Sequence, residues 1–325
     1  LMILANLFLG IFPTGMLTLI ILYYFILNAI WLSVTIMYIL DKELIFSGLL
    51  VLGIGIIALL FLVFRIDIIV SQIISLAIIS LLGALVALAF FVVQTRRNKK
   101  EGTEPVLPRK TIILNSVSQY FLYGLSYFAY LFADRVVAWS TNDVYMPYII
   151  WFRGEYELGL DFALLTLIIP MGFVEYIIRA MMESIQGAQK DYYMYEVGKM
   201  YKRYRRMYVN RLVLMAVISV VSGILIYILL MMVKNNYFPF VDIAISQTTY
   251  FVFMVALVGY SFTAMGLMNV EILFCVSQPK MATRCILPAL LATVLIGFVL
   301  SRWISYSYAV IGLACASILF SVLGT

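Results

Sequence analysis

Ionisable side chains inside long apolar segments are the residues of this chain most suited to chemistry. Each costs about 2.5–3.5 kcal/mol at the centre of a bilayer, which makes it a functional candidate by default. Three places carry such residues. The first is Asp134, which ends a tyrosine ladder. Tyr120, Tyr123, Tyr127 and Tyr130 all fall within about 40° of it on a helical wheel, and Ser116 returns to its azimuth. Aromatic rings stack on the apolar faces of sugars, and a carboxylate holds a hydroxyl or a cation, so this face suits a substrate path. It also suits a packing stripe that ends in an interfacial charge near Trp139. Arg135 points about 100° away and is not a same-face partner of Asp134.

The second place is Glu175 with Arg179, four residues apart in the favourable order for an ion pair on a helix. Pro170 and Gly172 precede them, and a helix break there would free backbone carbonyls beside the charges. The pair reads as a gate or coupling site, or as a self-neutralising pair that permits insertion. Glu271, with Asn269 beside it, is the third place and a further coupling candidate. Outside the apolar runs, residues 183–211 are amphipathic. Val197, Tyr201, Tyr204 and Tyr208 recur at helical spacing among Lys199, Lys202, Arg203, Arg205 and Arg206. This stretch suits docking of a cytoplasmic partner or anionic lipid. It equally suits a positive anchor with an aromatic interface belt.

Several chemistries are excluded. The chain has no histidine, so His-ligated metals, His general bases and Ser-His-Asp triads are absent. No Walker loop, glycine-rich phosphate cradle or EF-hand pattern occurs. Cys275, Cys285 and Cys315 lie in or beside apolar segments and read as packing residues. The expectation is therefore no catalytic residue, no metal and no cofactor. The net charge of +6 does not suggest nucleic acid, because the cations sit between apolar runs.

The elements that must position these residues are helices. The chain is 65% hydrophobic and 12% charged, where a soluble domain carries about 25% charge. Runs of about 20 apolar residues read as transmembrane helices, and the short alternating strands of a barrel are missing. Ten segments are predicted: residues 1–12, 17–40, 44–64, 68–93, 112–139, 162–182, 212–233, 250–276, 286–301 and 304–323. Sixteen of the 22 Lys and Arg fall in alternate loops, 41–43, 95–110, 183–211 and 277–284, which places those loops in the cytoplasm. The opposite loop 140–161 is acidic, with Asp143, Glu155, Glu157 and Asp161. The basic linker 95–110, with Pro105 and Pro108, divides a lobe at 1–94 from a second at 111–325. Leu1 already lies in an apolar run, and the end at Thr325 is equally abrupt, so the chain is expected to be part of a parent of about twelve spans in two lobes.

The run from Gly124 to Trp139, GLSYFAYLFADRVVAW, resembles the seventh helix of the Pel exopolysaccharide exporters, in which an Asp-Lys or Asp-Arg pair precedes an apolar stretch and a Trp. Residues 161–170, DFALLTLIIP, continuing to Glu175, resemble that family's eighth helix. The resemblance implies a fold akin to the multidrug, oligosaccharidyl-lipid and polysaccharide flippases, set in the bacterial cytoplasmic membrane. It implies a polysaccharide substrate, a cationic amino-sugar polymer, and a cytoplasmic glycosyltransferase partner among other membrane subunits of a synthase complex. Asp134 and the tyrosine ladder would then line the path, and Glu175, Arg179 and Glu271 would gate or couple it. The alternatives are a lipid-linked oligosaccharide flippase or cation-coupled multidrug exporter of the same superfold, and a structural subunit of a synthase complex.

Overall fold

The computed structural model describes residues 14–39, 43–65, 68–100, 109–141, 153–191, 197–235, 237 and 245–325. Among them there is no strand, and the protein is an all-α polytopic membrane protein. The reason is the solvent. Lipid cannot satisfy a backbone N–H or C=O, so an apolar run in a bilayer must close its hydrogen bonds within itself. The chain divides into two compact units at Leu107 and Pro108, inside the 95–110 linker.

The first unit holds α1 (Thr14–Ile39), α2 (Glu43–Ala58) and α3 (Ile68–Lys100). A π-helical turn, Leu59–Val63, ends α2. Both α1 and α2 pack on α3. Gly53 lets α2 approach until a side chain there would strike Ile79, and Ser75 Oγ donates to the Gly53 carbonyl at 2.7 Å.

The second unit holds α4 (Lys110–Trp139), α5 (Gly154–Leu164), α6 (Ile168–Asp191), α7 (Val197–Lys234), α8 (Gln247–Cys275), α9 (Pro279–Trp303) and α10 (Ala309–Gly324). The 3-10 turns Leu165–Leu167 and Tyr306–Tyr308 precede α6 and α10. The buried spine is α8, which packs against α5, α7 and α10, while α9 bridges α4 and α10. Small residues permit the tightest crossing. A Cβ on Gly312 would lie 2.6 Å from the Gly297 nitrogen and 2.7 Å from the Thr293 carbonyl oxygen. In lipid, where apolar area gives helices no drive to associate, such close backbone approach is a main source of adhesion.

The structure corrects several expectations. Among the described residues six helices, not ten, are both long and apolar enough to span a membrane: 71–96, 154–184, 198–234, 247–275, 279–303 and 306–324. The described apolar parts of α1 and α2 are shorter, and residues 1–12 lie outside the described set. Helix α4 has the length, 30 residues or about 45 Å, but its tyrosines, serines and charges lower its hydropathy. Residues 154–161, expected in an external loop, form most of α5, with Glu155 and Glu157 in its first turn, where a carboxylate favours the helix dipole. The amphipathic residues from Val197 onward and the predicted 212–233 span are one helix, α7. The helix break lies at Leu165–Leu167, before Pro170, and α6 runs on through Glu175. Pro170 has no N–H for the Thr166 carbonyl one turn back. Ser222 Oγ of α7 takes that carbonyl at 2.8 Å instead.

Candidate functional site

The tyrosine ladder of α4 is buried mainly from Tyr123 onward. Tyr120 is 42% exposed, Tyr123 and Tyr130 are buried, and Tyr127 lies between these extremes. Tyr123 stacks on Tyr127 with ring centroids 6.1 Å apart and meets the edge of Phe274 of α8 at 4.9 Å. Tyr120 contacts the same phenylalanine. The Tyr130 hydroxyl closes a three-membered ring of hydroxyls, 2.9 Å from Thr263 Oγ1 and 2.6 Å from Ser317 Oγ, so it locks α4 to α8 and α10.

Asp134 has no exposed surface. Its Oδ2 accepts the Tyr156 hydroxyl of α5 at 2.9 Å, and its Oδ1 has no protein partner. Arg135 turns the other way, as its azimuth requires, and bridges Glu157 and Asp161, the latter at 2.9 Å. Trp139 Nε1 donates to the second oxygen of Glu157 at 2.8 Å. The expected acidic outer loop is thus in part a counter-ion surface for α4. Of its other two acids, Glu155 is exposed in the first turn of α5 and Asp143 lies outside the described residues.

Two further arginines bind the C-terminal end of α4, where the last carbonyls of a helix lack partners. Arg302 of α9 reaches the carbonyls of Val137 at 3.2 Å and Ser140 at 3.0 Å, and stacks on Phe298. Arg153, just before α5, donates to the Thr141 carbonyl at 2.9 Å and sits 4.4 Å over the Tyr306 ring. The α4–α5 seam is therefore built from polar side chains: Tyr156 on Asp134, Arg135 on two acids, and Arg153 on Thr141.

The other predicted residues lie at the opposite end of the unit. Glu175 and Arg179 pair at 3.3 Å on an exposed face of α6, with side chains 48% and 59% exposed. Glu271 of α8 is half-buried and lies within electrostatic reach of Glu175, Tyr123 and Tyr127. The structure thus brings Glu175, with its partner Arg179, within electrostatic reach of Glu271, beside the N-terminal half of the ladder. Asp134 stands apart, near the C-terminal end of α4. Lys199, Lys202, Arg203, Arg205 and Arg206 are all exposed on the first third of α7. Lys202, Arg203 and Arg206 line a surface cavity of about 780 Å³ with Asn210, Arg211 and Leu214.

Tyr156, Arg153, Thr263, Ser317 and Arg302 belong to this network and were not singled out from the sequence. Only the acidic character of 155–161 next to a lone Arg135 hinted at it. Among the described residues no group of three or more cysteine, aspartate or glutamate side chains converges as a metal site. No protein-family model, curated protein or solved structure matches the chain.

Proposed function

We propose that this protein is a membrane transporter that exports an exopolysaccharide across the bacterial cytoplasmic membrane, in line with its resemblance to the Pel exporters. The observation that carries the transporter reading is the concentration of charge and hydroxyl in the second unit. Asp134, Arg135, Glu157, Tyr130, Tyr156, Thr263 and Ser317 cluster in a unit built mostly from apolar helices. A protein that only anchors itself in lipid gains nothing from groups so costly there. Tyr120 and Tyr127 retain exposed ring surface on which a sugar can stack, so in this conformation they supply the path contacts. Tyr123, Tyr130 and Asp134 would join the path only when α4 parts from its neighbours.

The substrate in this reading is a cationic amino-sugar polymer. A cytoplasmic glycosyltransferase hands it over, and the exposed cations of α7 face that partner or the anionic lipid beside it. A second reading, a cation-coupled exporter of the same superfold, is favoured by one feature: Asp134 is a carboxylate sealed away from water. The test is surface polysaccharide in cells that carry Tyr127→Ala or Tyr120→Ala, normalised to exporter abundance in the membrane. The reading expects reduced export at normal abundance. Export equal to that of wild type in a Tyr120→Ala/Tyr127→Ala double variant removes α4 from the path. Undiminished polymer in cells that lack the protein altogether refutes the exporter assignment.

A further inference from the structure

Asp134 combines complete burial with incomplete bonding. One oxygen accepts the Tyr156 hydroxyl, and the other has no hydrogen-bond partner among the described residues. The neighbouring Arg135 compensates it only in part, because its guanidinium is bound to Glu157 and Asp161. One arginine shared by two acids leaves that cluster already negative, so an ionised Asp134 adds a further charge with no counterpart. Charged and titratable groups facing it are Tyr130 and Arg135 of α4, Tyr156 and Glu157 of α5, and Tyr260 of α8. Four of these five are neutral or acidic. A single hydroxyl donor does not offset removing a carboxylate from water, and a buried charge persists only when something neutralises it.

The geometry points to Asp134 as a binding site for one positive charge, a proton or a sodium ion, held at the junction of α4, α5 and α8. A single carboxylate surrounded by hydroxyls suits a monovalent charge. A divalent ion takes six or more oxygens and usually more than one carboxylate, and no such cluster occurs among the described residues. When the site is filled, the seam around Asp134 is neutral and stays closed. When it is emptied, the bare carboxylate favours a state in which water reaches it, and that state requires α4 to part from α5. The seam's polar side-chain contacts take water in place of their protein partners when it opens. The use of this site to drive transport rests on the exporter reading, whereas the site itself does not.

Wild-type protein and Asp134→Asn are compared in lipid nanodiscs at neutral pH. A proton on Asp134 gives a protonated-carboxyl C=O band in the infrared spectrum that Asp134→Asn lacks. A sodium ion gives instead a thermal midpoint that rises when NaCl replaces choline chloride at constant ionic strength, a shift that Asp134→Asn abolishes. Tyr156→Phe keeps the carboxylate and removes its donor. It should move the band to higher frequency or shift the sodium midpoint, and it serves if Asp134→Asn fails to fold. Folded wild-type protein with neither the band nor the sodium response overturns the proposal. Neither readout needs a substrate. A cation signal with no change in surface polysaccharide on deletion would leave the site standing and refute the exporter reading alone.

Discussion

Arg135→Met should destabilise the second unit far more than the loss of either carboxylate partner taken alone. The Arg135 side chain is 11% exposed and that of Glu157 is 8% exposed, while Asp161 is 62% exposed. Removing one member of a buried pair leaves an uncompensated charge and costs about 3–5 kcal/mol. An ion pair with a solvent-exposed partner is worth about 0–1 kcal/mol. Methionine fills the same volume as the arginine stem, so the loss reports charge rather than packing. After Arg135→Met, Glu157 keeps the Trp139 donor alone among the described residues. The cluster begins about 6 Å from Trp139 along α4, close to the outer end of the helix, so water access places the cost at the lower end of that range. Asp161→Asn should cost about 1 kcal/mol or less. Replacing both members of the buried pair, Arg135→Met/Glu157→Met, should recover most of the loss, because an apolar pair of similar volume is often neutral. The assay is thermal or denaturant unfolding of purified protein in one detergent, read as the midpoint for wild type, both singles and the double. A coupling of several kcal/mol between positions 135 and 157 is expected. Arg135→Met indistinguishable from Asp161→Asn, or a double variant as unstable as the sum of its singles, would refute the buried-pair argument.

Gly312→Ala should cost about 1–3 kcal/mol and lower membrane abundance, because its Cβ meets the Gly297 backbone at 2.6 Å. Gly124→Ala, with nothing within 4 Å, should be neutral or slightly stabilising, and equal behaviour of the two would contradict the α9–α10 crossing. Single cysteines at Thr103 and Tyr148 should differ in labelling by an impermeant thiol reagent on intact cells, with only position 148 reacting. The reverse pattern would invert the topology read from the charge bias. Glu175→Gln should reduce membrane abundance or activity more than Glu175→Gln/Arg179→Gln does, by an amount within about 1 kcal/mol because both side chains are half exposed. A double variant no better than the single would show that the pair is not coupled.

The amino-acid sequence by itself determined that the chain is helical and membrane-spanning and the approximate order of its helices. An apolar run in lipid has one way to satisfy its backbone, so this property needs no tertiary contacts. The 3.6-residue period also placed the four tyrosines and Asp134 on one face and turned Arg135 off it, since azimuth is a local property. Tertiary structure alone decided what that face meets. The Tyr130 hydroxyl closes on Ser317, 187 positions away, and Arg302 reaches the Ser140 carbonyl from 162 positions away, distances at which no local pattern operates. It also decided that residues 154–161 are helical. Their acids read as a solvated loop until Arg135 and Trp139 are brought against them as partners. The partner of the carbonyl that Pro170 leaves free, Ser222 of another helix, was likewise set by tertiary structure. Burial of Asp134 was the least legible feature. A carboxylate five residues from Trp139 reads as interfacial, and only the closure of α5 and α8 over α4 removes it from water.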